Sequence, residues 1–237
     1  LRTPLTLILS PLQELLQTEK FTPDIQEKLE LMHGSATSLS TLMNQLLYVQ
    51  KIEAGMVELY VSETDIIRLL TKVTAAFKPI DQMKQIEYVL ENDFECMYLW
   101  VDAGKIESAV TNLLSNAFKY TPSNCCITVS VNKQEIDGQE FCLLSVTDTG
   151  EGIQPELRER VFESFITGNV NPSFSTKVGI GLRIVKHTMD LHHGQVILES
   201  EPGKGSTFTL YLPFGKEHFR ENNYEFIQSD PDDDRIW

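Results

Sequence analysis

The sequence is short of positive charge: 20 Lys and Arg stand against 34 Asp and Glu, a net charge of −14. A nucleic-acid surface needs clustered Lys and Arg to displace counterions from phosphates, so direct nucleic-acid binding by this fragment is excluded. Cysteine is scarce too. Cys96, Cys125, Cys126 and Cys142 lack the C-x-x-C spacing of a zinc site, and the adjacent pair does not readily close an ordinary disulfide. All four read as reduced packing residues rather than redox groups. No run of about 18 apolar residues exists, which excludes a transmembrane helix within the chain. Residue 1 is Leu, not Met, and the apolar spacing begins in mid-pattern. The chain therefore reads as excised from a larger protein, with a membrane anchor expected upstream. What remains is 237 residues with 41% hydrophobic content, enough for one large or two modest domains folding in water. The acidic balance suits an intracellular domain.

Three short segments carry chemistry. In Asn112-Leu-Leu-Ser-Asn116-Ala-Phe-Lys119-Tyr120, spacings of four and three put Asn112, Asn116 and Lys119 on one helix face and leave Leu113, Leu114 and Ala117 for a core. That face offers neutral amide oxygens beside one cation. Mg²⁺ takes oxygen ligands and shares its shell with water and substrate phosphates, so one Asn carboxamide is a suitable protein contribution beside a triphosphate; Lys119 adds a point charge for phosphate oxygens. The second segment, Asp148-Thr-Gly150-Glu-Gly152-Ile153, follows a strand-like run. A carboxylate at a strand end accepts a hydrogen bond from an exocyclic amine such as that of adenine, and two glycines let the backbone turn close to a flat ring. The third, Gly179-Ile-Gly181-Leu182, opens a helical pattern through Ile184, Val185 and Thr188, and glycines at a helix start leave N–H groups open to phosphate.

Each segment alone is weak: Asn-x-x-x-Asn is commonly a solvated helix face, Asp-x-Gly-x-Gly a turn, and Gly-x-Gly frequent by chance. Their order, with a long polar loop between the second and third, resembles the Bergerat ATP-binding fold shared by histidine kinases, type II topoisomerases, Hsp90-like chaperones and mismatch-repair ATPases.

Upstream, Ile25, Leu29, Met32, Ala36, Leu39, Met43 and Leu46 alternate spacings of four and three, as do Leu1, Leu5, Ile8, Leu12 and Leu15. Phe21-Thr-Pro-Asp24 supplies a turn and a cap between them. The expectation is a helical hairpin, its stripe either packed on its own domain or, as the length favours, shared with a second copy in a dimeric four-helix bundle. Beyond it we expect strands at 57–61, 86–90, 97–101, 127–132, 141–147, 195–199 and 207–212, and a helix over 65–83. A polar loop with one short helix is expected at 153–178, placed to cover a nucleotide, and a flexible acidic tail from Gly215 through Asp230-Pro-Asp-Asp-Asp234.

The start, Leu1-Arg-Thr3-Pro-Leu-Thr6, is similar to the latter part of the H-E-L-R-T-P-L motif of sensor histidine kinases. Asn112 to Tyr120 resembles their N box, Asp148 to Gly152 their G1 box, Phe162-Glu-Ser-Phe165 their F box, Gly179 to Leu182 their G2 box, and Ser200-Glu-Pro-Gly203-Lys-Gly205-Ser-Thr207-Phe their last glycine turn. The resemblance covers residues 1 to about 213. It implies a hairpin (1–58) for dimerisation and histidine phosphotransfer, an ATP-binding Bergerat α/β sandwich (59–214) and a tail (215–237). It also implies that Asn116 holds Mg²⁺, that Asn112 and Lys119 face the ATP phosphates, that Tyr120 lies along the base and that Asp148 binds the adenine amine. Gly150, Gly152, Ile153, Gly179, Gly181 and Leu182 would shape pocket and lid hinge, with Thr207 adding a hydroxyl near the phosphates. Thr3 stands where the family positions water for dephosphorylating a partner aspartate; a plain polar helix residue before Pro4 is the other reading.

The relatives that hydrolyse ATP place a Glu one turn before the metal-binding Asn. Here that position is Asn112, and an amide is no general base. Transfer to a side-chain nucleophile fits better. The family's phosphoacceptor His and its acidic neighbour would fall immediately before Leu1, so the chain as given is expected to bind ATP without phosphorylating itself there. His33, His187, His192, His193 and His218 do not replace it. Two departures concern the lid: Lys177 stands where many relatives carry the first G2 glycine, and Ser164 replaces a frequent Arg or Pro of the F box. The reading is the cytoplasmic core of a two-component sensor kinase of an inner-membrane protein, possible hybrid type included, acting as a homodimer on a fused or separate response-regulator receiver. A Bergerat ATPase outside phosphorelay, or a nucleotide-binding scaffold, are its alternatives.

Overall fold

Thr22, Pro23 and Asp24 open the long helix as their chemistry requires. Thr22 is extended (φ −63°, ψ 150°), Pro23 occupies the first turn, and Asp24 faces Lys28 Nζ at 2.6 Å. Pro lacks an N–H that the first turn would leave unpaired anyway. In the computed structural model, which describes residues 2–18, 21–163, 179–219 and 225–226, this helix is α2 (Pro23–Glu53), preceded by α1 (Arg2–Thr18). It ends at Glu53, and Gly55 two residues on, with φ of 65°, lets Met56 N–H return to Lys51 O. Leu5 and Leu12 of α1 are buried, but Ile25, Met32, Leu39 and Leu46 of the stripe stay exposed, as do Leu7 and Leu31. The hairpin covers only part of its apolar surface by itself.

The second unit is an α/β sandwich. A five-stranded sheet runs in the order β2 (Glu87–Asn92), β4 (Cys126–Ile136), β5 (Gln139–Asp148), β7 (Gly205–Pro213), β6 (Gln195–Glu201), with β2 parallel to β4 and the others antiparallel. Strict alternation buries Cys142, Leu144 and Val146 of β5 and Phe208, Leu210 and Leu212 of β7 on one face. Side chains of a strand point to opposite faces in turn, so this face packs on helices. Those helices are α3 (Ile66–Ala75), α5 (Ala103–Tyr120) and α6 (Gly181–Leu191), whose apolar residues share one core with the sheet. A smaller sheet joins β1 (Tyr60–Asp65) to β3 (Tyr98–Val101) and β8 (Glu225–Phe226). A helical hairpin followed by a Bergerat-type α/β sandwich is thus the architecture.

Three expectations change. The strand expected at 57–61 is Tyr60–Asp65, ended by Asp65 capping α3 through Ile67 N–H at 3.0 Å. The helix expected over 65–83 is two, α3 and α4 (Lys78–Lys84), separated by a turn. Pro79 follows that break, where its missing N–H costs nothing. The tail expected from Gly215 begins instead with a packed turn, Glu217–Phe219, whose Phe219 is 1% exposed against Leu59 and Val61. Substituting Phe219→Ala should cost about 3–5 kcal/mol in denaturant unfolding, the usual loss for a fully buried phenyl ring. A loss below about 1 kcal/mol would show that this contact is not part of the folded core. Of the polar loop, Pro155–Leu157 forms a single 3-10 turn and Phe162 meets Phe208 edge-on at 6.3 Å. Ser164, Phe165, Lys177 and the acidic run 230–234 lie outside the described residues.

Candidate nucleotide site

Helix α5 carries the first motif. Asp102 caps it by accepting Lys105 N–H at 3.0 Å, and Ile106, Ala109, Val110, Leu113, Leu114, Ala117 and Phe118 bury its core face. Asn112, Asn116 and Lys119 are left half-buried at the edge of that face. Asn112 Nδ2 donates to Ser108 O at 2.8 Å, and its Oδ1 receives Gln45 Nε2 of α2 at 3.5 Å. Lys119 Nζ lies 3.0 Å from the Tyr120 hydroxyl and 4.7 Å above the Tyr120 ring centroid.

The second motif sits against the end of that helix. Asp148 closes β5, 8% exposed, and its Oδ1 accepts Gly150 N–H at 2.9 Å. Burial pushes its carboxyl above the ordinary carboxylate range, opposed by backbone hydrogen bonds from Gly150 and Ser206. Desolvation disfavours the charged form and N–H donors favour it. A methyl group on Gly150 would fall 2.5 Å from Tyr120 O, so the turn touches α5 backbone to backbone. Gly152 (φ 68°) is equally confined, a methyl there falling 2.0 Å from Glu201 O. Ile153 N–H donates to Ser200 Oγ at 2.8 Å.

The third motif meets the first. Gly179 is left-handed (φ 67°) and Gly181 begins α6, where a methyl would lie 2.8 Å from Asn112 Oδ1. Leu182 packs partly buried on the main core. The structure therefore brings Asn112, Tyr120, Asp148, Gly150, Gly152, Ile153, Gly179, Gly181 and Leu182 around the exposed edge of α5, with Asn116 and Lys119 on the same helix. It does not bring in the Thr207 hydroxyl. Thr207 and Thr147 pair at 3.1 Å on the sheet face away from the helices, because the pleat sends alternate residues to opposite sides. Ser206 takes the inward place instead: 7% exposed, opposite Asp148, with Oγ 3.0 Å from Ser200 Oγ. The parity of Phe208 and Leu210 could have pointed to Ser206. Thr3 lies in α1, its side chain outside the described residues.

Sequence reasoning also missed how the hairpin meets this site. Val49 is buried with Ile180 and Ile184, Glu53 pairs with Arg183 at 3.3 Å, and Tyr48 lies edge-on to His187 at 6.4 Å. The C-terminal part of α2 thus abuts the start of α6. Chemically, the donor set is two carboxamides, one cation and one buried carboxylate. Among the described residues no cluster of three His, Cys, Asp or Glu could hold a metal alone, and a hard ion reaching Asn116 would complete its shell with substrate oxygens. The absent side chains of Gly150 and Gly181 let the second motif close on Tyr120 O and the third on Asn112 Oδ1, so the three motifs meet along α5.

Fold and site together define a histidine kinase core, and the chain belongs to that family. Residues 101–216 match the family described as histidine kinase-, DNA gyrase B-, and HSP90-like ATPase, and residues 1–55 match the His Kinase A (phospho-acceptor) domain. Histidine kinase P4 of Formosa agariphila is 30% identical over 93% of this chain. The hybrid signal transduction histidine kinase D of Dictyostelium discoideum is 33% identical over 90%. The chain spans only 16% and 14% of those relatives. Full-length ShkA, crystallised with AMPPNP, superposes with a TM-score of 0.74 at 28% identity, over 90% of this chain and 44% of that one.

Proposed function

We propose that this chain binds Mg-ATP against the exposed edge of α5 and directs the γ-phosphoryl group to a histidine, from which it passes to a receiver-domain aspartate. The observation that carries the reading is the meeting of three separate glycine and asparagine motifs at one place, with Asn112 where a hydrolase would need a carboxylate base. Asp148, which also accepts the Gly150 and Ser206 N–H groups, accepts the adenine amine. Tyr120 lies beside the base, and Gly150, Gly152 and Ile153 form the turn beneath it. Lys119 and Asn112 face the phosphates, and the first turn of α6 from Gly181 would offer its N–H groups to them. Mg²⁺ bound by Asn116 together with phosphate oxygens would neutralise charge on the transferring group. None of these side chains is poised to take a proton from water, so they bind and aim. Thr3 is proposed to position a water that hydrolyses the receiver's phosphoaspartate, releasing inorganic phosphate.

The open apolar stripe of α1 and α2 supports a homodimer in which a second copy completes a four-helix bundle. The acceptor histidine and a membrane anchor are proposed upstream of Leu1, with the core in the cytoplasm.

Calorimetric titration with Mg-AMPPNP tests the reading. We expect one site per chain, affinity that falls when Mg²⁺ is withdrawn, and a loss of about tenfold or more in Asn116→Ala, as for a hydrogen bond to a charged group. Absence of binding would leave a scaffold. Steady ATP turnover with no phosphoenzyme would instead indicate an ATPase outside phosphorelay.

A further inference from the structure

Far from the nucleotide edge, Asp102 is the meeting point of four elements. It stands between β3 and α5 and is 7% exposed. Its Oδ1 accepts Lys105 N–H at 3.0 Å, capping α5. Its Oδ2 accepts Tyr60 N–H at 3.1 Å, where the chain arriving from the hairpin enters β1, and Lys105 Nζ lies 2.8 Å from the same oxygen. Its own N–H donates to His192 Nε2 at 2.9 Å, just beyond the end of α6.

The geometry fixes the state of His192. A nitrogen that accepts a backbone N–H carries no proton, so the proton sits on Nδ1 and is donated to Thr188 O at 2.7 Å. Burial brings this imidazole down to about 4, so it is neutral at ordinary pH. Phe219 covers it, ring centroids 6.3 Å apart, from the same cluster that buries Leu59 and Val61. The node is largely buried, with Asp102 7% and His192 1% exposed.

Its position gives the node a function. α5 and α6 are the two helices that present Asn112, Asn116, Lys119 and Gly181, and Asp102 ties the N-terminal end of the first to the C-terminal end of the second. The same carboxylate holds the first residue of β1, which follows the 54–59 connection from α2. We propose that Asp102 is a positioning residue that registers β1, the strand arriving from the hairpin, to the two nucleotide-bearing helices, so that nucleotide occupancy and the position of Tyr60 are energetically linked. The proposal rests on the nucleotide reading above and extends it to regulation of the same site. Linkage is reciprocal: whatever moves Tyr60 relative to α5 alters nucleotide affinity by the factor with which nucleotide alters the Tyr60 contact.

Amide exchange followed by NMR, with and without saturating Mg-AMPPNP, tests it on the full chain. In the wild type we expect nucleotide to slow exchange at Tyr60 by about fivefold or more, the lower end of ordinary coupling. Asn caps a helix as well as Asp, so Asp102→Asn keeps the cap on α5. Its single acceptor oxygen, however, cannot serve Lys105 N–H and Tyr60 N–H together. The expected result is an unchanged melting temperature within a few degrees, with the nucleotide effect at Tyr60 lost. His192→Gln, which keeps an acceptor near the Nε2 position, should retain that effect, and His192→Leu should abolish it. A merely structural cap predicts Asp102→Asn indistinguishable from wild type at Tyr60, and that result overturns the proposal. So does nucleotide binding in calorimetry with no change at Tyr60 in the wild type. Failure of the wild type to bind nucleotide in calorimetry would remove the nucleotide reading itself, whereas binding without the Tyr60 change removes this proposal alone.

Discussion

Asp148→Asn is expected to weaken Mg-AMPPNP binding by about 10- to 100-fold while leaving the ligand-free protein at least as stable as the wild type. A hydrogen bond to a charged group is worth about 1.5–3 kcal/mol, and each 1.4 kcal/mol is about tenfold in affinity. The amide presents one acceptor where the carboxylate presents two. With that oxygen held by Gly150 N–H, the NH₂ group faces the adenine amine, donor against donor. Stability moves the other way. Burial raises the Asp148 carboxyl in the folded state, so the folded protein holds a proton there more tightly than the unfolded chain does. Stability contributed by this group is therefore lost as pH rises through its folded value. An amide avoids that cost at neutral pH. The wild type should also lose nucleotide affinity as pH falls toward the raised carboxyl range, because protonation turns an acceptor into a donor, whereas Asp148→Asn should lack that dependence. Calorimetry across a pH series and thermal melts of both proteins check the pair. Undiminished affinity in the variant would remove Asp148 from the site.

Gly205→Ala should be among the most damaging small substitutions near the site. Gly205 has φ 101° and opens β7, and a methyl group there would lie 1.9 Å from Asp148 O. The obstacle cannot yield cheaply, since it is the backbone of Asp148 at the end of an inner strand. We expect a loss of at least ~2 kcal/mol from the combined strain and clash, together with loss of nucleotide binding through displacement of Asp148. Gly138→Ala is the internal control. It too is left-handed (φ 79°), in the β4–β5 turn, but nothing lies within 4 Å of the added carbon. Backbone strain alone should cost about 1 kcal/mol there. Equal costs for the two, read by urea unfolding, would mean that the close approach at Asp148 is not what Gly205 serves.

Much of this was legible in the residues because local periodicity carried it. The 4-3 spacing of Asn112, Asn116 and Lys119 against Leu113, Leu114 and Ala117 is a helix with one polar edge, and α5 is that helix. Alternation in 141–147 and 207–212 gave strands, and their observed extents are longer only at the ends, where hydrogen bonding rather than side-chain pattern decides. Thr207, implied by the resemblance alone, lies on the outer face of the sheet because pleat parity sends it there and puts Ser206 beside Asp148. Phe219 went unread because one aromatic in a polar stretch has no period; its burial depends on Leu59 and Val61, some 160 residues earlier. The same holds for Asp102. A capping Asp ahead of an apolar run is a readable signal, but its grip on Tyr60 N–H and His192 joins segments that only the folded chain brings together. Gln45 at Asn112 is invisible to local pattern for that reason too.

The account stands on Asn112, Asn116, Asp148 and Gly181 sharing one nucleotide, and a crystal structure of the chain with Mg-AMPPNP tests it most directly. The expected density places the adenine amine within hydrogen-bonding distance of an Asp148 oxygen and Mg²⁺ between Asn116 Oδ1 and phosphate oxygens, with the phosphates facing the first turn of α6. Nucleotide bound elsewhere, or bound with Asp148 and Asn116 both turned away from it, would contradict the account.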